Sequence, residues 1–228
     1  MSARAEILGK IKAGLDAVET PEAREESAAA RISSPPQQLI PTRSQGDKET
    51  QTKLFIEMVE NVAATTVRVG SLDDLPEAVT SYLANHNLPS RVKTDKDPLL
   101  SDIDWSSQAT LEVSSGVAAD EDQVSVTAAY GGVAETGTAI LTSGEDNPTT
   151  LNFLPENHII VLPVSRLEGT YEDVWAKLRA GREEGGESLP RTVNWITGPS
   201  RTGDIEQTMQ LGIHGPRRLH VILVDDDD

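Results

Sequence analysis

The segment 131–138, GGVAETGT, places a carboxylate within a glycine-rich turn. Glycines at this density allow tight backbone geometry or the close approach of a ligand. A carboxylate in such a turn could act as a nucleophile or a general base. We therefore single out Glu135 as a candidate catalytic residue, with Thr136, Gly137 and Thr138 as candidate ligand-binding residues. The alternative is that Glu135 caps nearby amides and that the glycines only shape a turn.

A second glycine-containing loop, GPSRTGDIE at 198–206, follows the predicted strand TVNWIT and is predicted to open a helix. A strand, a glycine-rich loop and a helix N-terminus together favour anion binding, since free amides and the positive end of the helix dipole face the ligand. The loop lacks the Gly-Lys-Ser/Thr ending of a Walker A motif. Ordinary helix capping by a threonine or an aspartate is the alternative. The candidate ligand-binding residues here are Gly198, Ser200, Arg201, Thr202, Asp204 and Glu206.

Two of the four histidines lie near these loops. His214 lies in GIHGP, where glycine and proline flank it, and is a candidate catalytic residue. His158 opens an apolar run and is a candidate ligand-binding residue, with a structural role as the alternative. His86 and His220 have no supporting context. No His-Glu-x-x-His spacing occurs, so we expect no metal site.

From residue 48 onward, helical stripes alternate with short β-branched runs at 65–69, 192–197 and 219–224. The run HIIVLPV at 158–164 is typical of a strand buried on both faces. Strands that alternate with helices predict a mainly parallel sheet covered on both faces, an α/β fold. A helix that begins after Thr170 is predicted to end at Gly181, and a short helix is predicted over 204–211.

The first 47 residues differ from the rest. Residues 3–18 have apolar side chains at helical spacing and predict an amphipathic helix. Residues 20–47 are polar and proline-rich, which predicts a linker because such a segment buries little apolar surface. We therefore predict an N-terminal helix and arm over 1–47 and one domain over 48–228, which ends in four aspartates.

Composition excludes several classes of protein. The chain has 228 residues, a net charge of −17 and no cysteine. Nucleic-acid binding depends on basic patches, which argues against that role. Without cysteine the chain cannot form disulfides or ligate an ordinary iron–sulfur cluster. No apolar run approaches the ~20 residues of a membrane span, and the first residues lack a signal-peptide apolar region. We expect a cytoplasmic protein without membrane insertion.

Four stretches resemble the LUD domain family: AETGT at 134–138, LPENH at 154–158, TGPSRTGDIE at 197–206 and GIHGP at 212–216. They occur in the family's order and spacing, and the resemblance covers about residues 48–224. Thr197 stands where the family commonly has serine, while Arg201 and Gly203 occupy variable positions. The resemblance implies a three-layer α/β/α sandwich similar to sugar-phosphate isomerases, CoA transferases and folate cyclo-ligases.

The resemblance also implies a role in oxidising L-lactate to pyruvate together with iron–sulfur partner proteins. This chain, which has no cysteine, would be the cluster-free subunit and would bind no cofactor itself. The alternative is an independent enzyme or binding protein for a phosphate-, CoA- or folate-type ligand, because Glu135-Thr136-Gly137 is similar to the Glu-x-Gly of CoA transferases, whose glutamate is the nucleophile. A scaffold role is a third alternative. We expect the candidate residues to line one cleft, in which Arg201 attracts a small carboxylate or phosphate.

Overall fold

The computed structural model describes residues 2–16, 20–35, 39–185, 189–203 and 210–226. Within them the chain divides into two units, Met1–Ile40 and Pro41–Asp228. The helices are α1 (Ala3–Asp16), α2 (Pro21–Ser33), α3 (Lys48–Glu60), α4 (Leu75–Asn85), α5 (Pro98–Ser101) and α6 (Tyr171–Gly185). The strands are β1 (Thr65–Val69), β2 (Arg91–Thr94), β3 (Glu112–Ser115), β4 (Val124–Ala128), β5 (Gly131–Val133), β6 (Thr138–Thr142), β7 (Asn157–Pro163), β8 (Leu167–Glu168), β9 (Val193–Ile196), β10 (Arg201–Thr202), β11 (Gln210–Leu211) and β12 (Arg218–Val224). No described helix is both long and apolar enough to cross a bilayer.

The first unit contains two helices. The predicted amphipathic helix is present as α1, and its predicted last residue, Val18, lies outside the described residues. Helix α2 forms where the sequence predicted a linker. Its N-cap, Thr20, accepts a hydrogen bond from the Ala23 N–H at 3.2 Å, and none of its residues is buried. Capping and the high helix propensity of alanine, glutamate and arginine therefore favour this helix without a core.

The second unit is built on a six-stranded sheet in the order β1-β12-β7-β4-β2-β3, and every pair in it is parallel. Strand β7 is buried along its whole length, as its continuous apolar sequence predicts. Ile159 packs with the cluster around α4, whereas Ile160 packs with the cluster around α3. Burying each such side chain contributes roughly 1.5–3 kcal/mol. The central strands thus hold helices on both faces.

A second sheet of four strands, in the order β8-β5-β6-β9, lies on the α3 side of the first sheet. Its pairs β5–β6 and β6–β9 are antiparallel. The outer side of this sheet packs against α6 through Val174 and Leu178. The predicted three-layer α/β architecture with a mainly parallel sheet is confirmed, and the small second sheet is an addition that the sequence patterns did not indicate.

Residues 41–47, which we predicted as part of the arm, pack within the second unit. Ser44 is buried, and its carbonyl accepts a hydrogen bond from Gln51 Nε2 at 3.2 Å. A Cβ at Gly169 would lie 2.2 Å from that same carbonyl oxygen, so the chain can approach this closely only where glycine stands. The turn Thr42–Ser44 is therefore held between α3 and the loop before α6.

Two local predictions are wrong. Thr170 does cap α6, since its hydroxyl oxygen accepts a hydrogen bond from the Asp173 N–H at 3.3 Å, but the helix continues through Gly181 to Gly185. Charged helix-forming residues follow Gly181 and extend the helix. The predicted helix over 204–211 is also wrong at its end, because Gln210–Leu211 is strand β11, paired antiparallel with β10. Residues 204–209 lie outside the described residues.

Candidate functional site

Four of the predicted site residues line one cavity of about 200 Å³: His158, Gly198, Ser200 and His214. We call it the histidine pocket. It lies near the amino ends of β7 and β12, since His158 and Leu219 are each the second residue of their strand. Trp195 of β9 forms part of the opposite wall. The pocket therefore lies between the two sheets.

His158 is fully buried and makes one side-chain hydrogen bond, in which its Nε2 lies 2.7 Å from the Thr127 hydroxyl. Its Nδ1 has no hydrogen-bond partner among the described residues. Burial lowers the pKa of His158 to about 3, so the ring is neutral near pH 7. A neutral ring carries one N–H donor and one acceptor, hence a ligand can hydrogen-bond to Nδ1 in either tautomer.

Ser200 holds the loop that carries His214. The Ser200 hydroxyl oxygen accepts a hydrogen bond from the His214 N–H at 3.1 Å, and the Ser200 N–H donates to the Pro216 carbonyl at 2.9 Å. The Gly212 N–H donates to the Ser200 carbonyl at 3.0 Å. These bonds fix the position of an exposed histidine beside the pocket. Within the described residues the Ser200 hydroxyl donates no hydrogen bond, so its proton can be donated to a ligand.

Residues 135–138 lie beside the histidine pocket without lining it. Thr138 is linked to it, because its hydroxyl lies 2.8 Å from the hydroxyl of Thr197, which lines the pocket. Thr136 and Thr138 also contact the Tyr171 hydroxyl, at 2.8 Å and 3.0 Å. This hydroxyl cluster links β6, α6 and the residue that follows β9. Glu135 is half-buried, and its backbone carbonyl accepts a hydrogen bond from Arg43 Nη2 at 3.1 Å.

Gly137 has a structural reason to be glycine. Its φ is +65°, and a Cβ there would lie 2.6 Å from the Val59 backbone nitrogen and 2.8 Å from the Met58 carbonyl carbon. No side chain fits against the backbone of α3 at that distance. Helix packing therefore accounts for the glycine without a ligand.

Arg201 lies outside the histidine pocket. It is exposed and lines a neighbouring cavity of about 290 Å³, which shares Thr197 and Gly198 with the pocket. Arg201 and Thr202 form β10, so the chain after Gly198 enters a strand where we predicted a helix N-terminus. The expected dipole contribution to anion binding is therefore missing at these two residues. Asp204 and Glu206 lie outside the described residues.

Comparison with known proteins bears on this site. Residues 116–224 match the LUD domain. The resemblance predicted from the sequence motifs is thus confirmed over that range, which holds the histidine pocket, the 135–138 turn and the β10–β11 ribbon.

The chain is similar to proteins named lactate utilization protein C. Identity is 35% over 108 residues with that of Halalkalibacterium halodurans, covering 47% of this chain and 46% of the relative. It is 33% over 109 residues with that of Geobacillus thermodenitrificans, covering 48% and 45%. It is 29% over 137 residues with that of Bacillus licheniformis, covering 60% and 57%. The chain therefore spans about half the length of the curated relatives it matches.

A solved structure shares the fold. The crystal structure of a DUF162 family protein from Deinococcus radiodurans superposes with a TM-score of 0.58 at 22% identity, covering 78% of this chain and 99% of that one. This likeness supports the α/β architecture and carries no functional argument by itself.

A larger cavity, of about 560 Å³, lies mostly outside the LUD domain and contains both histidines that sequence reasoning set aside. His220 stacks on Tyr82 with ring centroids 4.4 Å apart, and its Nδ1 lies 2.8 Å from the Thr65 hydroxyl. Burial lowers the pKa of His220 to about 4. His86 also contacts Tyr82, with ring centroids 4.4 Å apart. Side-chain alternation in β12 could have placed His220 on the α4 face with Ile222.

Proposed function

We propose that this protein serves in lactate utilization as a cluster-free subunit that binds the small carboxylate while partner proteins carry iron–sulfur clusters. The observation behind the proposal is the similarity of the chain to proteins named lactate utilization protein C, together with the LUD domain match over 116–224. Oxidation of L-lactate to pyruvate releases two electrons and two protons. Because this chain has no cysteine to ligate an ordinary cluster, the electrons would pass to iron–sulfur clusters of partner proteins in the cytoplasm.

The size of the histidine pocket suits a small acid. Its volume of about 200 Å³ lies below the ~300–1,000 Å³ typical for drug-sized ligands. Its wall combines apolar side chains, among them Trp195 and Leu219, with polar groups of His158, Ser200 and His214. A few convergent polar groups on an apolar wall are typical of a small-molecule site. A folate or the whole of CoA would not fit this volume.

Thermal unfolding tests the binding role. A ligand at about 100 times its Kd stabilises the native state by about 2.7 kcal/mol and raises the unfolding midpoint. We expect L-lactate or pyruvate to raise the midpoint of the wild-type protein and of His86→Ala, the matched control from the other cavity. We expect His214→Ala to abolish the shift. A shift by CoA or a sugar phosphate but not by lactate would contradict the proposal, as would a full lactate shift in His214→Ala.

Partner binding is proposed for the first unit. Ile7, Leu8, Ile11 and Leu15 of α1 form an apolar stripe, and each is more than half exposed. A stripe of this kind is suited to an apolar groove on another protein. We expect the iron–sulfur partners to co-purify with the wild-type chain and less with Leu8→Asp, while Lys12→Ala on the same helix behaves as wild type. Equal recovery with Leu8→Asp would contradict docking through α1.

A further inference from the structure

A polar cavity of about 390 Å³ lies at the carboxyl ends of three adjacent parallel strands. Its wall includes Ala128, the last residue of β4, together with Asp97 beyond the end of β2 and Arg166 beyond the end of β7. We call it the carboxyl-end cavity. The histidine pocket lies at the opposite, amino ends of the strands, so the two sites share no lining residue.

Chain topology singles out this position. From β2 the chain runs to β3, toward one edge of the six-stranded sheet. From β4 it runs through the second sheet to β7, toward the opposite edge. Strands β2 and β4 are neighbours, so the direction of winding reverses between them. In open parallel sheets the connecting loops separate at such a point and leave a crevice in which ligands bind. The carboxyl-end cavity occupies that crevice.

Two cations line this cavity in a chain of net charge −17. Arg166 Nη1 donates to the Ala129 carbonyl at 2.8 Å, which holds the guanidinium in place. No carboxylate of the described residues forms an ion pair with Arg166. Lys177 forms an ion pair with Glu168 and leaves about half of its side chain exposed. The cavity thus presents an uncompensated guanidinium and a partly exposed ammonium.

Both cations act on Tyr130, which also lines the cavity. Burial raises the pKa of Tyr130, and the charges of Lys177 and Arg166 oppose that rise. The phenol therefore stays protonated near pH 7 and can donate a hydrogen bond. Thr142 and Asn147 add further donors to the wall.

The carboxylates at this end of the sheet are already engaged by backbone donors. Asp97 Oδ1 accepts the Leu99 N–H at 3.0 Å as the cap of α5. Asp95 is buried, and its Oδ2 accepts a hydrogen bond from the Ala128 N–H at 2.8 Å. Neither acid forms an ion pair with Arg166 or Lys177 within the described residues, so the Arg166 guanidinium is left to contact an anion in a cavity that Asp97 also lines.

We propose that the carboxyl-end cavity binds a small metabolite through its phosphate group, with Arg166 and Lys177 as the cationic contacts and Tyr130 as a hydroxyl donor. A guanidinium and an ammonium beside neutral donors form the usual recognition set for such oxyanions. The volume falls within the usual range for small-molecule sites. This site is independent of the lactate role proposed for the histidine pocket.

Isothermal titration of the full chain with inorganic phosphate and ribose 5-phosphate tests the proposal, because neither is a ligand that we propose for the histidine pocket. We expect at least one of these to bind, and we expect Arg166→Gln and Lys177→Gln each to weaken binding about tenfold or more, the usual effect of losing a charge-assisted hydrogen bond. Lys53→Gln is the matched control, because Lys53 is also an exposed helix lysine paired with a glutamate. The Lys177 side chain is about half exposed, so Lys177→Gln keeps the fold even if Arg166→Gln does not.

The two probes separate a site for the phosphate group alone from a site that also contacts the sugar. Binding that is weakened in Lys177→Gln and retained in both Lys53→Gln and His214→Ala supports a site at the carboxyl-end cavity. Binding that is lost in His214→Ala and unchanged in Lys177→Gln would place the anion in the histidine pocket and overturn the proposal. The absence of binding by every probe at millimolar concentration would also overturn it.

Discussion

Replacing Gly137 by alanine separates a structural from a ligand-binding role of the 135–138 turn. The new Cβ would lie 2.6 Å from the Val59 nitrogen, and that neighbour is helix backbone, which cannot rotate away. The left-handed φ of +65° costs an alanine roughly 1–2 kcal/mol. Overpacking against α3 costs roughly a further 1–3 kcal/mol. We therefore expect Gly137→Ala to lower the free energy of unfolding by about 2–5 kcal/mol.

Urea unfolding, followed by circular dichroism and extrapolated linearly to water, measures this loss. Gly181→Ala is the matched control, because a Cβ at Gly181 meets no atom within 4 Å and the residue lies inside α6. That substitution should raise the free energy of unfolding by roughly 0.5–1 kcal/mol, since alanine is the better helix former. The two glycine-to-alanine changes should thus have opposite signs.

A small effect would refute the packing argument. If the free energy of unfolding of Gly137→Ala lies within about 1 kcal/mol of wild type and the variant loses affinity for a ligand, the glycine is required for ligand binding. Helix α3 then shifts to accommodate the new side chain. If Gly137→Ala is strongly destabilised, packing explains the glycine, and Gly137 no longer supports the similarity to the Glu-x-Gly of CoA transferases. The role of Glu135 must then be tested separately.

Burial raises the pKa of Asp95 to about 7 from 3.8, so the native state binds the proton more tightly, and stability should fall as pH rises from about 4 to 7, by at most about 4 kcal/mol. Urea unfolding at pH 5 and 8 should show this fall in wild type and not in Asp95→Asn. An equal change in the free energy of unfolding in both proteins would contradict this expectation. Burial lowers the pKa of His158 to about 3, so its contribution is present above pH 6.5 and is lost as pH falls. Between pH 7 and 4.5, wild type should lose about 2–3 kcal/mol more than His158→Gln, and parallel acid transitions would show that His158 becomes protonated in the native state. Tyr171→Phe removes the hydroxyl contacts to Thr136 and Thr138 and should lower the unfolding free energy by about 1–2 kcal/mol, a loss that a thermal melt with no change in midpoint would disprove.

The parallel sheet could be predicted because its central strands are buried on both faces. A strand such as β7 must then be apolar at every position, and the run HIIVLPV shows this without reference to any other part of the chain. The second sheet could not be predicted in the same way. Strand β5 consists of Gly131, Gly132 and Val133, and glycine has no side chain from which a pattern can be read.

The histidine pocket was partly predictable, since its four predicted residues belong to three compact motifs that each contain glycine or proline beside a polar side chain. The carboxyl-end cavity was not. Asp97, Arg166 and Lys177 belong to no shared motif, and about 80 residues separate the first from the last. The adjacency of β2 and β7 to β4 brings Asp97 and Arg166 together, and α6 adds Lys177; this arrangement depends on long-range pairing that local patterns do not encode.

Strand β12 lies between β1 and β7, and it is the one pairing partner of β1 within the described residues. Thr65 and His220, which pair in this register, are 155 residues apart in the chain. During synthesis β1 therefore emerges long before the strand that will cover its edge, and it must wait unpaired until residues 218–224 have been made. Closing so long a loop makes this pairing slow. We expect the nascent chain to need protection of β1 by a chaperone, and we expect refolding in vitro to be limited by the docking of β12.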